Sequence, residues 1–213
     1  PLLSSQIRCQ LKDVNSWTNL SKGYLELRVK IRETANGNNT AEATRVALAN
    51  GISSLFSRTV CRINNVVVET NELANYSNHL KNLLHFSSDY ANSCGQNSGV
   101  YNDTNGHLGN ADALLQVAQA SGAPNPNLVQ ASGAPSTSWN EGFYHRRLLQ
   151  SDNRAQADGV TYHLPLKDLF GCCVDRVMMN NQFSIELTRS ADEFVLVGDE
   201  AAPYQVSIQR CSL

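Results

Sequence analysis

The stretch that decides the fold is Tyr24-Leu-Glu-Leu-Arg-Val-Lys-Ile-Arg32. Its odd-numbered positions from Leu25 to Ile31 are apolar, and the even-numbered positions between them are charged. This period of two is typical of a β-strand with one buried face. A shift of one residue in strand pairing would bury three charges, so the register is well specified.

Further segments on both sides of this strand predict the same kind of structure. The predicted strands are Gln6–Leu11, Arg58–Ile63, Val66–Glu69 (after a turn at Asn64-Asn65), Gly142–Leu149, Gly159–Leu164, Gln182–Arg189, Phe194–Val197 and Gln205–Leu213. The side chains predicted to point into the core are Ile7, Leu25, Leu27, Val29, Ile31, Ile185, Leu187 and Leu196. Outward positions include Lys30, Ser184, Glu186 and Thr188.

Two segments have the helical period instead. Leu48, Ile52 and Leu55 predict a helix within Glu42–Ser57, which Asn50-Gly51 interrupts, and a second helix is predicted over Glu72–Phe86. On the second helix one face carries Tyr76, Leu80, Leu83 and Leu84. Eight or nine strands with two inserted helices indicate an all-β fold, and chains of this kind are usually sandwiches or jelly rolls. We expect an antiparallel eight-stranded jelly-roll sandwich over residues 1–213 as a single domain.

Composition argues against several classes of protein. There are 17 Lys and Arg against 19 Asp and Glu, a net charge of −2, where a dedicated nucleic-acid binder usually has a basic excess. Charged residues are only 17% of the chain, and the 23 asparagines give it a neutral, polar character. No apolar run reaches the ~18 residues that a membrane-spanning helix needs.

A long segment at 106–140 lacks both periods. Gln119-Ala-Ser-Gly-Ala-Pro124 recurs eleven residues later as Gln130-Ala-Ser-Gly-Ala-Pro135. Because proline cannot donate a ladder hydrogen bond, we predict a long loop outside the sheets. We expect this loop to contact neighbouring subunits, and its candidate contact residues are Gln119, Pro124, Gln130, Pro135 and Trp139. The adjacent Arg146-Arg147 is a candidate basic pair at an interface.

The sequence offers little for catalysis. It has no His-x-His pair, nucleophile elbow, zincin motif or glycine-rich phosphate loop. The six cysteines lack metal-binding spacing, and we interpret them as reduced thiols, Cys172-Cys173 included. We therefore predict no enzyme activity, no cofactor and no metal site.

Seven segments, in order along the chain, resemble the major capsid proteins of Maverick/Polinton elements and adintoviruses, which belong to the double jelly-roll lineage. The segments are Leu20–Ile31, Asn50–Asn64, Tyr76–Phe86, Tyr101–Thr104, Gly142–Arg147, Leu164–Phe170 and Phe183–Arg189. Two of these segments read Asn50-Gly-Ile-Ser-Ser-Leu-Phe-Ser57 and Leu164-Pro-Leu-Lys-Asp-Leu-Phe170, and the resemblance depends on the order of the segments rather than on any one of them. The 106–140 segment matches nothing in that family.

The resemblance implies a structural protein of an icosahedral shell that forms homotrimeric capsomers. Each intact family member has two jelly rolls, and this chain has strands for the first of them. The implied partners are neighbouring capsomers, penton and minor capsid proteins and, as an open question, a host receptor. The implied location is the virion, with assembly in the host nucleus or cytoplasm.

Two other functions remain open from the residues alone. The chain would also suit a single jelly-roll penton (vertex) protein of the same virus type. A jelly-roll module that binds a carbohydrate or receptor is the third reading, although Tyr101 and Trp139 are few aromatic residues for a sugar site.

Overall fold

The computed structural model describes residues 6–11, 17–35, 37, 46–103, 141–150, 159–173, 177–179, 181–198 and 204–213. Seven strands within these ranges have six residues or more: β1 (Gln6–Leu11), β3 (Tyr24–Glu33), β5 (Phe56–Ile63), β6 (Val66–Asn71), β7 (Val160–Pro165), β9 (Phe183–Arg189) and β11 (Tyr204–Ser212). Four are shorter: β2 (Trp17–Asn19), β4 (Ala47–Leu48), β8 (Val177–Met179) and β10 (Leu196–Val197). The fold is therefore all-β, as predicted.

Two main sheets contain the seven long strands, and every pairing is antiparallel. One sheet has the order β1-β9-β5-β6 and the other has the order β11-β3-β7. The short strands pair separately, β10 with β4 and β2 with β8. β5 and β6 form a hairpin, and every other pairing in these two sheets joins strands that are distant in the sequence.

The described helices are short and lie between strands. They are α1 (Ala74–His85), α2 (Ser88–Ala91), α3 (Glu141–Gln150), α4 (Leu166–Leu169) and α5 (Asp192–Val195), with 3-10 turns η1 (Leu20–Lys22), η2 (Ile52–Leu55) and η3 (Cys94–Ser98). The helix predicted over Glu72–Phe86 is thus confirmed as α1.

Inward side chains from both main sheets form one buried apolar cluster. All eight side chains that the alternation predicted to be inside are buried. Cys61 on β5, Phe183 on β9 and Val206 on β11 belong to the same cluster. The Asn64-Asn65 turn is also confirmed, because both residues have positive φ, as the tight turn between two twisted strands requires.

The helix predicted within Glu42–Ser57 is wrong over the described part. Gly51 has a φ of +90°, which a right-handed helix cannot accommodate, and after one 3-10 turn Phe56 enters β5. Leu48, Ile52 and Leu55 are all buried, but β4 and η2 place them rather than one helix face.

The strand predicted over Gly142–Leu149 is also wrong, because this segment is helix α3. Among the side chains of α3 that the structure describes, those of Phe143, Arg146, Arg147 and Gln150 are buried, and these residues recur at helical spacing. Three of these four are polar or charged, so an apolar pattern could not reveal the period. Likewise, Phe194 is exposed on α5, and only Leu196–Val197 of the predicted strand forms β10.

Two outward predictions fail by burial. Lys30 is buried, and Gly159 lies beside it, since a methyl group on Gly159 would come within 3.1 Å of the Lys30 Cβ. Ser184 is buried on a central strand between its partners Gln10 and Arg62.

Candidate assembly surface

The face of helix α1 that lies against the rest of the domain is mostly polar. Two residues of this face, Ala74 and Asn78, are buried against η2 and β5. The Lys81 Nζ donates to the backbone oxygen of Asp168 at 3.1 Å and lies 3.3 Å from its carboxylate. The Asn82 side chain donates to the Asn50 carbonyl at 3.4 Å. Hydrogen bonds and one ion pair therefore attach α1 to the domain, with little apolar burial.

The opposite face of α1 is apolar and exposed to solvent. Leu80 is 56% exposed and Leu84 is 78% exposed. Together with the similarly exposed Leu73, Tyr76 and Leu83 they define what we call the α1 stripe. An amphipathic surface helix normally has the reverse arrangement, with its apolar side chains against the core. Contiguous exposed apolar side chains of this kind mark interaction sites.

An aromatic contact extends the α1 stripe. The rings of Tyr76 and Phe194 meet edge to face, with centroids 6.5 Å apart. Phe194 is itself exposed, at the start of the segment that leads into β10. The pair presents a larger apolar area than either ring alone.

The predicted basic pair has a different environment from the one expected. Both Arg146 and Arg147 are buried on α3. The Arg146 guanidinium lies 2.9 Å from one carboxylate oxygen of Asp103 and 3.2 Å from the other, and its Nε donates to the Leu48 carbonyl at 3.0 Å. This bidentate geometry commits Arg146 to an internal contact. A role of Arg146 and Arg147 at an interface stays a prediction, and it would require their buried side chains to become exposed.

Asn50 organises the same region. Its amide donates to the Tyr101 carbonyl at 2.7 Å and to Asp103 at 3.2 Å, and its oxygen accepts from the Tyr101 backbone N–H at 2.9 Å. The Asn50-Gly51 dipeptide therefore ties residues 101–103 to β4 and η2. Nothing in the sequence indicated this role of Asn50, since a lone asparagine has many uses.

The candidate contact residues of the long loop, Gln119, Pro124, Gln130, Pro135 and Trp139, lie outside the described residues. Their contacts stay predictions. The other aromatic residue considered for a sugar site, Tyr101, stacks on His145 with ring centroids 5.9 Å apart and is partly buried.

The cysteines are free thiols, and two groups of them lie close together. The Sγ atoms of Cys9 and Cys211 are 3.6 Å apart, and Cys172 donates to the Sγ of Cys61 at 3.4 Å. The hydrogen bond with Cys211 lowers the pKa of Cys9 to about 7, whereas the same bond and burial raise the pKa of Cys211. Burial raises the pKa of Cys61, and it raises that of Cys173 to about 12.

One cavity of about 340 Å³ lies where β1, η1 and β3 meet the end of β11. Most of its described lining is apolar, with Leu20, Leu166 and Leu213 prominent, and Tyr24 is the one aromatic side chain among the described lining residues. A carbohydrate site usually combines stacked aromatic rings with converging polar groups, and this lining is poor in both.

Within the described ranges, no cluster of three or more His, Cys, Asp or Glu residues could hold a metal ion. Among the same residues, no helix has the length and apolarity to cross a membrane. Comparison of the chain with protein-family models, with curated proteins and with solved structures found no match.

Proposed function

We propose that this chain is a jelly-roll domain of a viral major capsid protein, the first of two in the intact subunit. The observation that carries the proposal is the strand order of the two main sheets. An eight-stranded jelly roll puts its second, seventh, fourth and fifth strands in one sheet, and its first, eighth, third and sixth strands in the other.

The seven long strands follow this order if they are counted as the second to the eighth. β1-β9-β5-β6 then corresponds to the second, seventh, fourth and fifth strands. β11-β3-β7 corresponds to the eighth, third and sixth. Within the described residues β11 has a partner on one side only, which is β3, so no described strand takes the place of the first strand on its other side.

A shell subunit suits the other features of the molecule. A shell is built from many copies of a subunit that repeat the same contacts. Such contacts need complementary surfaces and no catalytic group. The α1 stripe offers an apolar contact surface, and the low content of charged residues resembles the composition of interface cores. The proposed assembly is a homotrimeric capsomer that meets other capsomers, penton proteins and minor capsid proteins in the virion.

The oligomeric state of the purified chain tests this proposal. Light scattering after size-exclusion chromatography measures the mass, and negative-stain electron microscopy shows the particle outline. We expect a trimer of the chain with a three-fold outline, or a shell. A five-fold ring would instead favour a vertex protein. A monomer at the highest soluble concentration that binds glycans on an array would favour a binding module, and both of these results contradict the proposal.

A further inference from the structure

We infer that α1 is a contact between two copies of this chain, which pair through their α1 stripes as antiparallel helices about a two-fold axis. This inference deepens the proposed function. It rests on the proposed function only in assigning the contact to the boundary between capsomers. The pairing itself depends only on the described residues of α1.

The spacing of the α1 stripe is that of a helix-pairing seam. Leu73, Tyr76, Leu80 and Leu83 are separated by three, four and three residues, the alternation of a and d positions in a heptad. Side chains at these positions form one narrow apolar line that packs into the holes of a facing helix. The core of the domain cannot be that facing surface, because Ala74 and Asn78 already occupy the inward side of α1.

The seam is complementary to itself when one helix is reversed. Leu73 and Leu83 lie equally far from Asn78, and so do Tyr76 and Leu80. In an antiparallel pair centred at Asn78, Leu73 therefore faces Leu83 of the second copy, and Tyr76 faces its Leu80. A two-fold contact requires such a self-complementary surface, because each copy supplies both halves of it.

Electrostatics favour the same arrangement. Within α1 the positions beside the seam are Ser77, His79 and Leu84, so no carboxylate, lysine or arginine of the helix lines it. The flanking position before the helix is Glu72, which is already paired with Arg58 at 2.8 Å. Antiparallel helices also place opposite ends of their macrodipoles together.

The contact is small, which indicates where it works. Twelve residues of helix extend over about 18 Å, and a stable interface buries ~800 Å² on each partner, more than two such short helices provide. A single α1 pair is therefore weak. Repeated around a shell of joined subunits, many weak pairs act together through their high effective concentration.

Single cysteines on α1 test the pairing in the full chain. Cys94 is exposed and Cys9 is partly exposed, so every variant also carries Cys94→Ser and Cys9→Ser. His79 is one residue from the proposed centre, and His79→Cys should react with its own counterpart through a short bismaleimide cross-linker. His85 is the matched control, since it is an exposed histidine of the same helix. Seven residues from the centre, its two copies would be about 21 Å apart at 1.5 Å per residue.

We expect several-fold more covalent dimer from His79→Cys than from His85→Cys. Leu80→Glu should abolish the His79→Cys dimer without changing the melting temperature, and His85→Glu should leave the dimer intact. Equal cross-linking of the two cysteines, absence of the dimer, or indifference to Leu80→Glu would overturn the inference. A trimer or shell without this dimer overturns only the α1 contact, whereas the dimer from a chain that never forms a trimer contradicts only the proposed function.

Discussion

β3 and α1 are both amphipathic, yet they are oriented oppositely in the molecule. β3 buries Leu25, Leu27, Val29 and Ile31 completely between the sheets. α1 directs its leucines to solvent and attaches itself by Lys81 and Asn82. The burial of these four side chains stabilises the isolated domain, and this explains the apolar face of β3. Domain stability does not account for the α1 stripe, whose side chains stay more than half exposed in the folded domain, and this difference is why we propose the stripe as a contact surface for something outside the domain.

The sharpest test of the comparison makes the same substitution, leucine to alanine, in β3 and in α1. Leu27→Ala should lower the free energy of unfolding by ~2–5 kcal/mol, through lost burial and the cavity that remains. Leu80→Ala should change it by less than about 0.5 kcal/mol, since the side chain is largely exposed. Urea unfolding followed by fluorescence measures both. Similar losses at the two sites would mean that the α1 stripe is part of the core.

A second test compares a buried ion pair with an exposed one. The Asp103 and Arg146 side chains are only 12% and 5% exposed, so Asp103→Asn should cost ~1.5–3 kcal/mol by weakening a charge-assisted contact in a poorly solvated site. Glu72→Gln breaks the exposed Arg58–Glu72 pair beside α1 and should cost at most ~1 kcal/mol. The same unfolding measurement applies. If the first substitution were as mild as the second, α3 would not depend on this contact.

The thiols give a smaller effect that depends on pH. With its pKa near 7, Cys9 should be alkylated by iodoacetamide with a midpoint near pH 7, because thiolate is the reactive form. Cys211→Ala removes the hydrogen bond and should move that midpoint upward, toward the ordinary ~8.5. Cys61 and Cys173, whose pKa values are raised by burial, should stay protonated and unreactive at pH 8. Mass spectrometry of alkylated peptides resolves the sites, and an unmoved Cys9 midpoint in Cys211→Ala would contradict the assignment.

The smallest expected effect on stability is that of the long loop. Deleting residues Gln119–Pro135 should leave the melting temperature almost unchanged and impair assembly, if the segment serves contacts with neighbours. Differential scanning fluorimetry and the mass of the assembled particle provide the two readouts. A deletion that unfolds the domain would instead make this segment part of the core.

The strands were predictable because one face of each is apolar and burial enforces the register. Leu27 and Ile185 illustrate this, since a period of two in the sequence becomes a period of two in burial. Helix α3 was not predictable, because it buries Arg146 and Gln150 with specific partners, and such partners are known only in the fold. Gln150 donates to the Tyr162 hydroxyl at 3.0 Å and accepts from the Ile31 backbone N–H at 3.3 Å.

The candidate surface was predictable only in part. The sequence places Tyr76, Leu80, Leu83 and Leu84 on one face of a helix, which the structure confirms. Periodicity reports that a face is apolar and does not report which way it points. The direction is set by Lys81, which reaches Asp168, a residue 87 positions away in the sequence.

The irregular edge of β11 has a consequence for the solubility of the subunit. Within the described residues the edge of β11 opposite β3 is unpaired, and an unpaired edge strand is a template on which other chains can aggregate. In β11 the pairing register shifts between Ile208 and Arg210, so a bulge divides the strand into two stretches. Such an irregularity bends the strand and disrupts a straight row of hydrogen-bonding groups. An arbitrary extended peptide therefore finds only a short matching stretch there, and the edge favours an incoming strand whose own shape follows the bulge.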